Sequence, residues 1–374
     1  MHPTLTRSAE LVDLLFNETS GAGFTILRND IGSSPNSTQD WMNTIEPVGP
    51  ARPDERPTYV WDGQDAGQFW IAQQAARYGV KTFYAGAWSA PGFMKNNSND
   101  AGGGYLCGKF YKAAGIDITH LGFLNETDFT TAYASMRMTG AMAADFIKIL
   151  QPVLAARGYA GQVKIACCDA TGWATQRNMS RAILADAAAA PLVDNAWMTE
   201  YADLGGRWST AWFSADAAAR NDTKATAGDG LTWARNLHTG LTTGNLSAFL
   251  WWVATQDTTT NGNNSEKLMA PVVDTATSGL RTVAFKNANG DVSVVAINDS
   301  AEDVPVRVYV GVASGGGGGG SGDGAAAAAA VEAWVTDATR DMERQAAAIS
   351  PEGIVNLQEV PAHGVLSVIV RASS

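Results

Sequence analysis

The chain has 374 residues, 45% of them hydrophobic and 17% charged, enough for one large core and a smaller companion domain. A formal net charge of -11 argues against nucleic acid or an anionic membrane as partner, because both call for a cationic field. No apolar run reaches the ~18 residues of a membrane span, and the expected partner is a neutral or weakly cationic molecule.

The chain opens on a helix-like stretch over residues 5–16 with no basic and apolar leader before it. Strand-like runs then alternate with helix-like ones, the pattern of a parallel α/β fold. The strands are expected at 24–28 (FTILR), 82–88 (TFYAGAW), 118–125 (ITHLGFLN), 163–169 (VKIACCD), 196–200 (AWMTE) and 247–253 (SAFLWWV). Helices are expected at 67–78, 128–157, 176–188 and 230–242. Most of these strands end in polar or aromatic residues, where a (β/α)8 barrel assembles its active site. The Gly-rich phosphate turn of a doubly wound nucleotide fold does not occur.

From about residue 280 the texture changes to short alternating strands at 280–285, 292–297, 304–310, 354–360 and 365–370, with turns at Asn289-Gly290 and His363-Gly364. These read as a β-sandwich of antiparallel hairpins. The expected division is a barrel over residues 1–269 and a sandwich over 270–374, with a low-complexity Gly/Ala insertion at 314–330 that acts as a loop between strands.

Three cysteines, Cys107, Cys167 and Cys168, do not make a disulfide framework, and adjacent cysteines rarely bridge. Four scattered histidines offer no metal-ligand spacing, so neither metal nor cofactor is expected. Nine N-x-[ST] sequons, from Asn17 to Asn298, suit an exported, glycosylated chain. The expected localisation is therefore extracellular, with the leader absent from this sequence, and the expected state is a monomer.

Retaining hydrolysis of a glycosidic bond needs two carboxyl groups about 5 Å apart, one to protonate the leaving oxygen and one to attack the anomeric carbon. Glu126 ends the third expected strand and Glu200 the fifth. A closed barrel would bring both to one mouth. Asn125, just before Glu126, can donate to the sugar hydroxyl beside the reacting carbon. Twelve Trp supply flat faces on which sugar rings stack, besides filling core.

The runs 23–29 (GFTILRN), 31–34 (IGSS), 59–63 (YVWDG), 87–95 (AWSAPGFMK), 120–126 (HLGFLNE) and 197–204 (WMTEYADL) resemble fungal glycoside hydrolase family 30. Within it they are most similar to subfamily 7, xylanases of endo, glucuronoxylan and xylobiohydrolase type. The resemblance implies a (β/α)8 barrel with a side β-sandwich and no cofactor, Glu126 as acid/base and Glu200 as nucleophile. It also implies that Arg28 holds the nucleophile ionised, that Asn125 meets the 2-hydroxyl, and that Trp88, Tyr201 and Trp252 line the sugar cleft.

The chain departs from that family in several places. The first barrel strand and the sixth, expected between Ala190 and Asn195, are missing or degenerate, so the barrel should be incomplete with open edges. Asn125-Glu126-Thr127 stands where the family has Asn-Glu-Pro. Arg52, Arg56 and Arg207 are read as loop cations, available to a uronic acid but more simply surface charge. Three functions fit these residues: a xylanase, an endo-β-1,6-galactanase or glucosylceramidase-like relative, and an inactive carbohydrate-binding remnant.

Overall fold

The computed structural model describes residues 3–35, 43–52, 55–56, 58–63, 65–103, 118–170, 173–193, 197–198, 207–210, 230–243, 248–250, 279–287, 289–309, 330–350, 353–357 and 359–372. Two compact units emerge. One comprises Met1–Ala215 with Gly244–Ala254, the other Asp216–Thr243 with Thr255–Ser374.

The first unit runs α1 (Pro3–Phe16), β1 (Ile26–Ile31), α2 (Gln68–Arg77), β2 (Thr82–Ala87), β3 (His120–Gly122), α3 (Gly140–Ala156), β4 (Lys164–Ala166), α4 (Trp173–Ala185), β5 (Trp197–Met198), β6 (Arg207–Thr210) and β7 (Ala248–Leu250). Strands β1 to β4 form one parallel sheet in chain order, and β5 to β7 a second. The two sheets share an apolar cluster: Tyr84 of β2 and Ala166 of β4 pack with Leu250 of β7, and Ile26 and Ala248 pack against them. This is the interior of a (β/α)8-type barrel, incomplete at seven strands among the described residues, with side chains filling its centre.

The helices coat the outside by ordinary amphipathic spacing. In α3, Ala143, Ala144, Ile147 and Leu150 recur on one face and are buried with Ile165 of β4 and Ile183 of α4. Gly140 lets α3 approach α4, since a Cβ there would lie 2.7 Å from that of Ala182. On the other side Val12 and Phe16 of α1 pack with Ala72 and Ala75 of α2 and Phe83 of β2.

Three barrel elements differ from expectation. β6 had no counterpart in the hydrophobic pattern; it pairs between β5 and β7, and Arg207 is its first residue rather than a loop cation. The helix expected from 128 starts only at Gly140, where Thr139 adopts an extended backbone and its hydroxyl accepts from the Met142 N–H. The residues before it are committed elsewhere: Thr127 donates to the Met138 carbonyl and Ser135 N–H to the Asp100 carbonyl. Cys167 and Cys168 are joined to each other by a disulfide, contrary to expectation. Cys107 lies outside the described residues.

The second unit contains α5 (Gly230–Thr242) and β8 (Leu280–Lys286), β9 (Val292–Asn298), β10 (Arg307–Tyr309), β11 (Val331–Thr336), β12 (Glu343–Gln345), β13 (Ala348–Ile349), β14 (Ile354–Asn356) and β15 (Gly364–Val370). The strands form a five-stranded sheet in the order β12-β11-β15-β9-β8 and a three-stranded sheet β10-β14-β13. In β15 every second residue is buried, and Leu366, Val368 and Val370 meet Val355 of β14 and Val335 of β11 in the core.

Asn289-Gly290 makes the β8–β9 hairpin, with Gly290 at a φ of 91°. His363-Gly364 is not a hairpin turn, because β14 before it and β15 after it belong to different sheets. Strands β11, β12 and β13 were not anticipated. The low-complexity insertion lies outside the described residues except for Ala330. Its flanking strands, β10 and β11, also belong to different sheets.

Candidate active site

The chemistry-bearing residues of the first unit are Arg28 and Tyr84 within β1 and β2, and Asn125, Glu126 and Asp169 just past the carboxyl ends of β3 and β4. Arg28 on β1 stands in register with Tyr84 on β2, which places its guanidinium carbon 5.5 Å from the centre of the Tyr84 ring. Tyr84 is 1% exposed. Its ring lies across Gly122 of β3, where a Cβ would come within 2.7 Å of Cζ and nearer still to the hydroxyl. Glycine at 122 is what leaves room for the phenol.

Tyr84 uses that room to donate to Asp169 Oδ2 at 2.8 Å. Burial, then the negative charge of Asp169, push the Tyr84 phenol well above its ordinary pKa, with Arg28 opposing. The hydroxyl is therefore a permanent neutral donor. Arg28 Nη2 lies 3.4 Å from the same Asp169 oxygen and donates to Asn125 Oδ1 at 2.7 Å. One guanidinium thus links the residue before Glu126 to the aspartate that follows β4.

Glu126 follows β3 after Phe123 and Leu124, both buried in the core. Its backbone is left-handed, with a φ of 46°, and Asp169 is likewise at 51°, a conformation that non-glycine residues adopt at some cost and that concentrates at functional sites. The Glu126 N–H donates to the Asp169 carbonyl at 2.6 Å. Only 6% of Glu126 is exposed, and its Oε2 accepts a hydrogen bond from the Tyr133 hydroxyl. The Tyr133 ring meets Trp88 edge-on with centroids 5.8 Å apart.

Behind this wall Lys95, 3% exposed, donates to Ser89 Oγ, the Asp100 carbonyl and the Ser135 carbonyl at 2.7–2.9 Å. It ties the loop after β2 to the segment that carries Tyr133. Thr127, where the resemblance would place proline, is 1% exposed, and its hydroxyl bonds Met138.

Of the residues singled out in the sequence, Arg28, Trp88, Asn125 and Glu126 are thus brought together. Glu200 and Tyr201 follow β5, and Trp252 follows β7, and all three lie outside the described residues. Sequence reasoning missed Tyr84, Tyr133 and Asp169. Asp169 carried the same signal as Glu126, a carboxylate ending an apolar strand run; Tyr133 carried none, because its segment read as helix.

A parallel barrel with a buried carboxyl group just after β3, an arginine bonded to the residue before it, and an accompanying β-sandwich define a glycoside hydrolase. The family model for glycosyl hydrolase family 59 matches residues 2–274, and the chain belongs to that family. Residues 258–333 match the β-sandwich domain of glycosyl hydrolase family 30. Among solved structures, the catalytic domain of the family 30 xylanase C from Talaromyces cellulolyticus is similar over 100% of this chain and 93% of its own, at 29% identity and a TM-score of 0.75. A family 30 subfamily 8 xylanase from Clostridium acetobutylicum covers 97% and 92% at 18% identity and a TM-score of 0.64. An endo-β-1,6-glucanase covers 100% and 87% at 16% identity and a TM-score of 0.62. The expected relationship to family 30 is thereby supported through the sandwich and the fold, while the family model spanning the barrel is that of family 59.

Proposed function

We propose that the chain is a retaining xylanase of the subfamily 7 type, secreted and without cofactor, that cleaves β-1,4-linked xylan by double displacement. The observation that carries this reading is the setting of Glu126: a buried carboxyl group at the carboxyl end of β3, hydrogen-bonded by Tyr133 and next to the Arg28–Asn125 contact. Glu126 acts first as the acid that protonates the leaving oxygen, then as the base that activates water. Glu200 is the nucleophile that forms and releases the glycosyl-enzyme. Xylan is favoured as substrate by the 29% identity to the Talaromyces enzyme across the whole chain.

The test is product analysis on glucuronoxylan, arabinoxylan, β-1,6-galactan, β-1,6-glucan and glucosylceramide, with the anomer of the first product read by NMR. Xylan cleavage with retention, lost in Glu126→Gln and Glu200→Gln, is the expected result. Turnover of only another substrate in the panel would reassign the specificity, and sugar binding without turnover would leave a carbohydrate-binding remnant.

A further inference from the structure

We propose that Asp169 is a positioning residue for the hydrolytic reaction, one that fixes both the acid/base carboxyl group of Glu126 and the guanidinium of Arg28. The inference rests on the reading of Glu126 as acid/base. Asp169 is 5% exposed and acts through two different groups. Its main-chain carbonyl accepts from the Glu126 N–H at 2.6 Å. Its carboxylate accepts from Tyr84 at 2.8 Å and faces Arg28 at 3.4 Å.

The first contact anchors the acid/base residue at its backbone. Glu126 sits in a left-handed conformation that a free chain would leave, and a neighbouring carbonyl held from β4 gives it a fixed partner. The second contact sets charge. Arg28 reaches Asn125, the neighbour of Glu126, and a cation held there favours the ionised form of nearby carboxyl groups. Asp169 offsets that charge. A catalytic acid must hold its proton until the leaving oxygen takes it, so losing the share of compensation that Asp169 gives Arg28 would work against the first step.

The anchoring is built into the sequence around it. Gln176 of α4 donates to the Cys167 carbonyl at 3.2 Å and accepts from the Ala170 N–H at 3.0 Å, clamping the backbone on either side of Asp169. Gly122 leaves the space through which Tyr84 reaches it.

Asp169→Asn keeps the carbonyl and the side-chain shape while removing the charge. The decisive measurement compares kcat/KM on an unactivated xylo-oligosaccharide with that on a 2,4-dinitrophenyl glycoside, whose leaving group departs without protonation. The expected outcome is a loss of about ten-fold on the oligosaccharide on the alkaline side of the optimum, as a one-unit fall in the acid's pKa dictates, with the activated substrate changed far less. The alkaline limb of the oligosaccharide pH profile should also move down by about one unit.

Equal losses on both substrates, in protein with a wild-type circular dichroism spectrum, would mean a general structural or nucleophilic role and overturn the proposal. So would an unmoved alkaline limb. Should Asp169→Asn not fold, Asp169→Ser also removes the charge while keeping the main-chain carbonyl and is expected to give the same leaving-group dependence; its absence in folded protein counts against the proposal. Glu126→Gln is the control for the underlying reading. If Glu126→Gln itself lacks the leaving-group dependence, the acid/base assignment fails whatever Asp169→Asn does.

Discussion

The main-chain N–H of Glu126 donates to the carbonyl of Asp169 at 2.6 Å, and both residues hold left-handed backbones. The loops that follow the neighbouring strands β3 and β4 thus each carry an unfavoured conformation, and the two are bonded to one another. Left-handed non-glycine backbones persist only where their surroundings over-determine them, and this bond is one such constraint on the acid group.

Removing the Tyr133 hydroxyl should tune the acid directly. Its hydrogen bond to Glu126 favours the ionised carboxylate, so Tyr133→Phe is expected to raise the Glu126 pKa. The alkaline limb of kcat/KM then shifts to higher pH, the direction opposite to Asp169→Asn, with activity at the optimum reduced about ten-fold. A pH-rate profile of the two variants side by side checks this.

Gly122→Ala should cost stability as well as activity. The new methyl group would occupy the place of the Tyr84 phenol, which at 1% exposure has no room to retreat. Overpacking of this kind costs about 1–3 kcal/mol. A fall in the urea midpoint, partly reversed by adding Tyr84→Leu, is the expected observation.

Lys95 should give the protein a pH signature at alkaline pH. Burial pushes its pKa down to about 8, with Asp100 opposing. Between that value and its ordinary 10.5 the unfolded chain binds more protons than the native one, so this residue makes stability rise with pH across the window. Lys95→Met should abolish that slope. It should also lose about 1–3 kcal/mol by removing a charged donor from the Asp100 and Ser135 carbonyls, which keep only the neutral Ser135 N–H and Ser89 hydroxyl. Urea unfolding of both proteins from pH 7 to 10 measures the two effects.

Glu46 and His120 should oppose each other at acid pH. Burial raises Glu46 to about 7, so its contribution to stability is full below about 4.5 and lost as pH rises through 7. Burial, followed by the charge of Lys164, lowers His120 to about 4, so its contribution grows between about 4 and 6.5. Glu46→Gln should therefore leave stability rising with pH between 4.5 and 6.5, where the wild type is flatter. Thermal unfolding at half-unit pH steps would detect it, and a variant that tracks the wild type throughout would refute the assignment.

Asn298 should remain unglycosylated despite its sequon. It is 0% exposed, and its amide nitrogen donates to the carbonyls of Glu302, Val360 and Pro361. Asn96 and Asn178 are exposed. Peptide mass spectrometry of protein made in a glycosylating host should find sugar on the latter pair and none on Asn298.

The sequence by itself determined the alternation that makes a parallel barrel, the antiparallel sandwich after it, and the strand-end acid at Glu126. Each of these is written in local periodicity: apolar runs of strand length, helix-spaced faces such as Ala143 to Leu150, and polar residues where the runs stop. It could not register β6, a short strand whose pairing comes from β5 and β7 on either side. Nor could it register β11 to β13, or the non-helical path of residues 128–139, where hydrogen bonds to distant carbonyls outcompete helix propensity.

Tertiary structure alone decided which polar residues meet. Tyr84, Tyr133 and Asp169 join the site through contacts spanning up to 141 positions, as between Arg28 and Asp169, and no local pattern encodes a partner so far along the chain. The space that lets Tyr84 reach Asp169 depends on a missing side chain at Gly122, and such space exists only once three strands lie side by side.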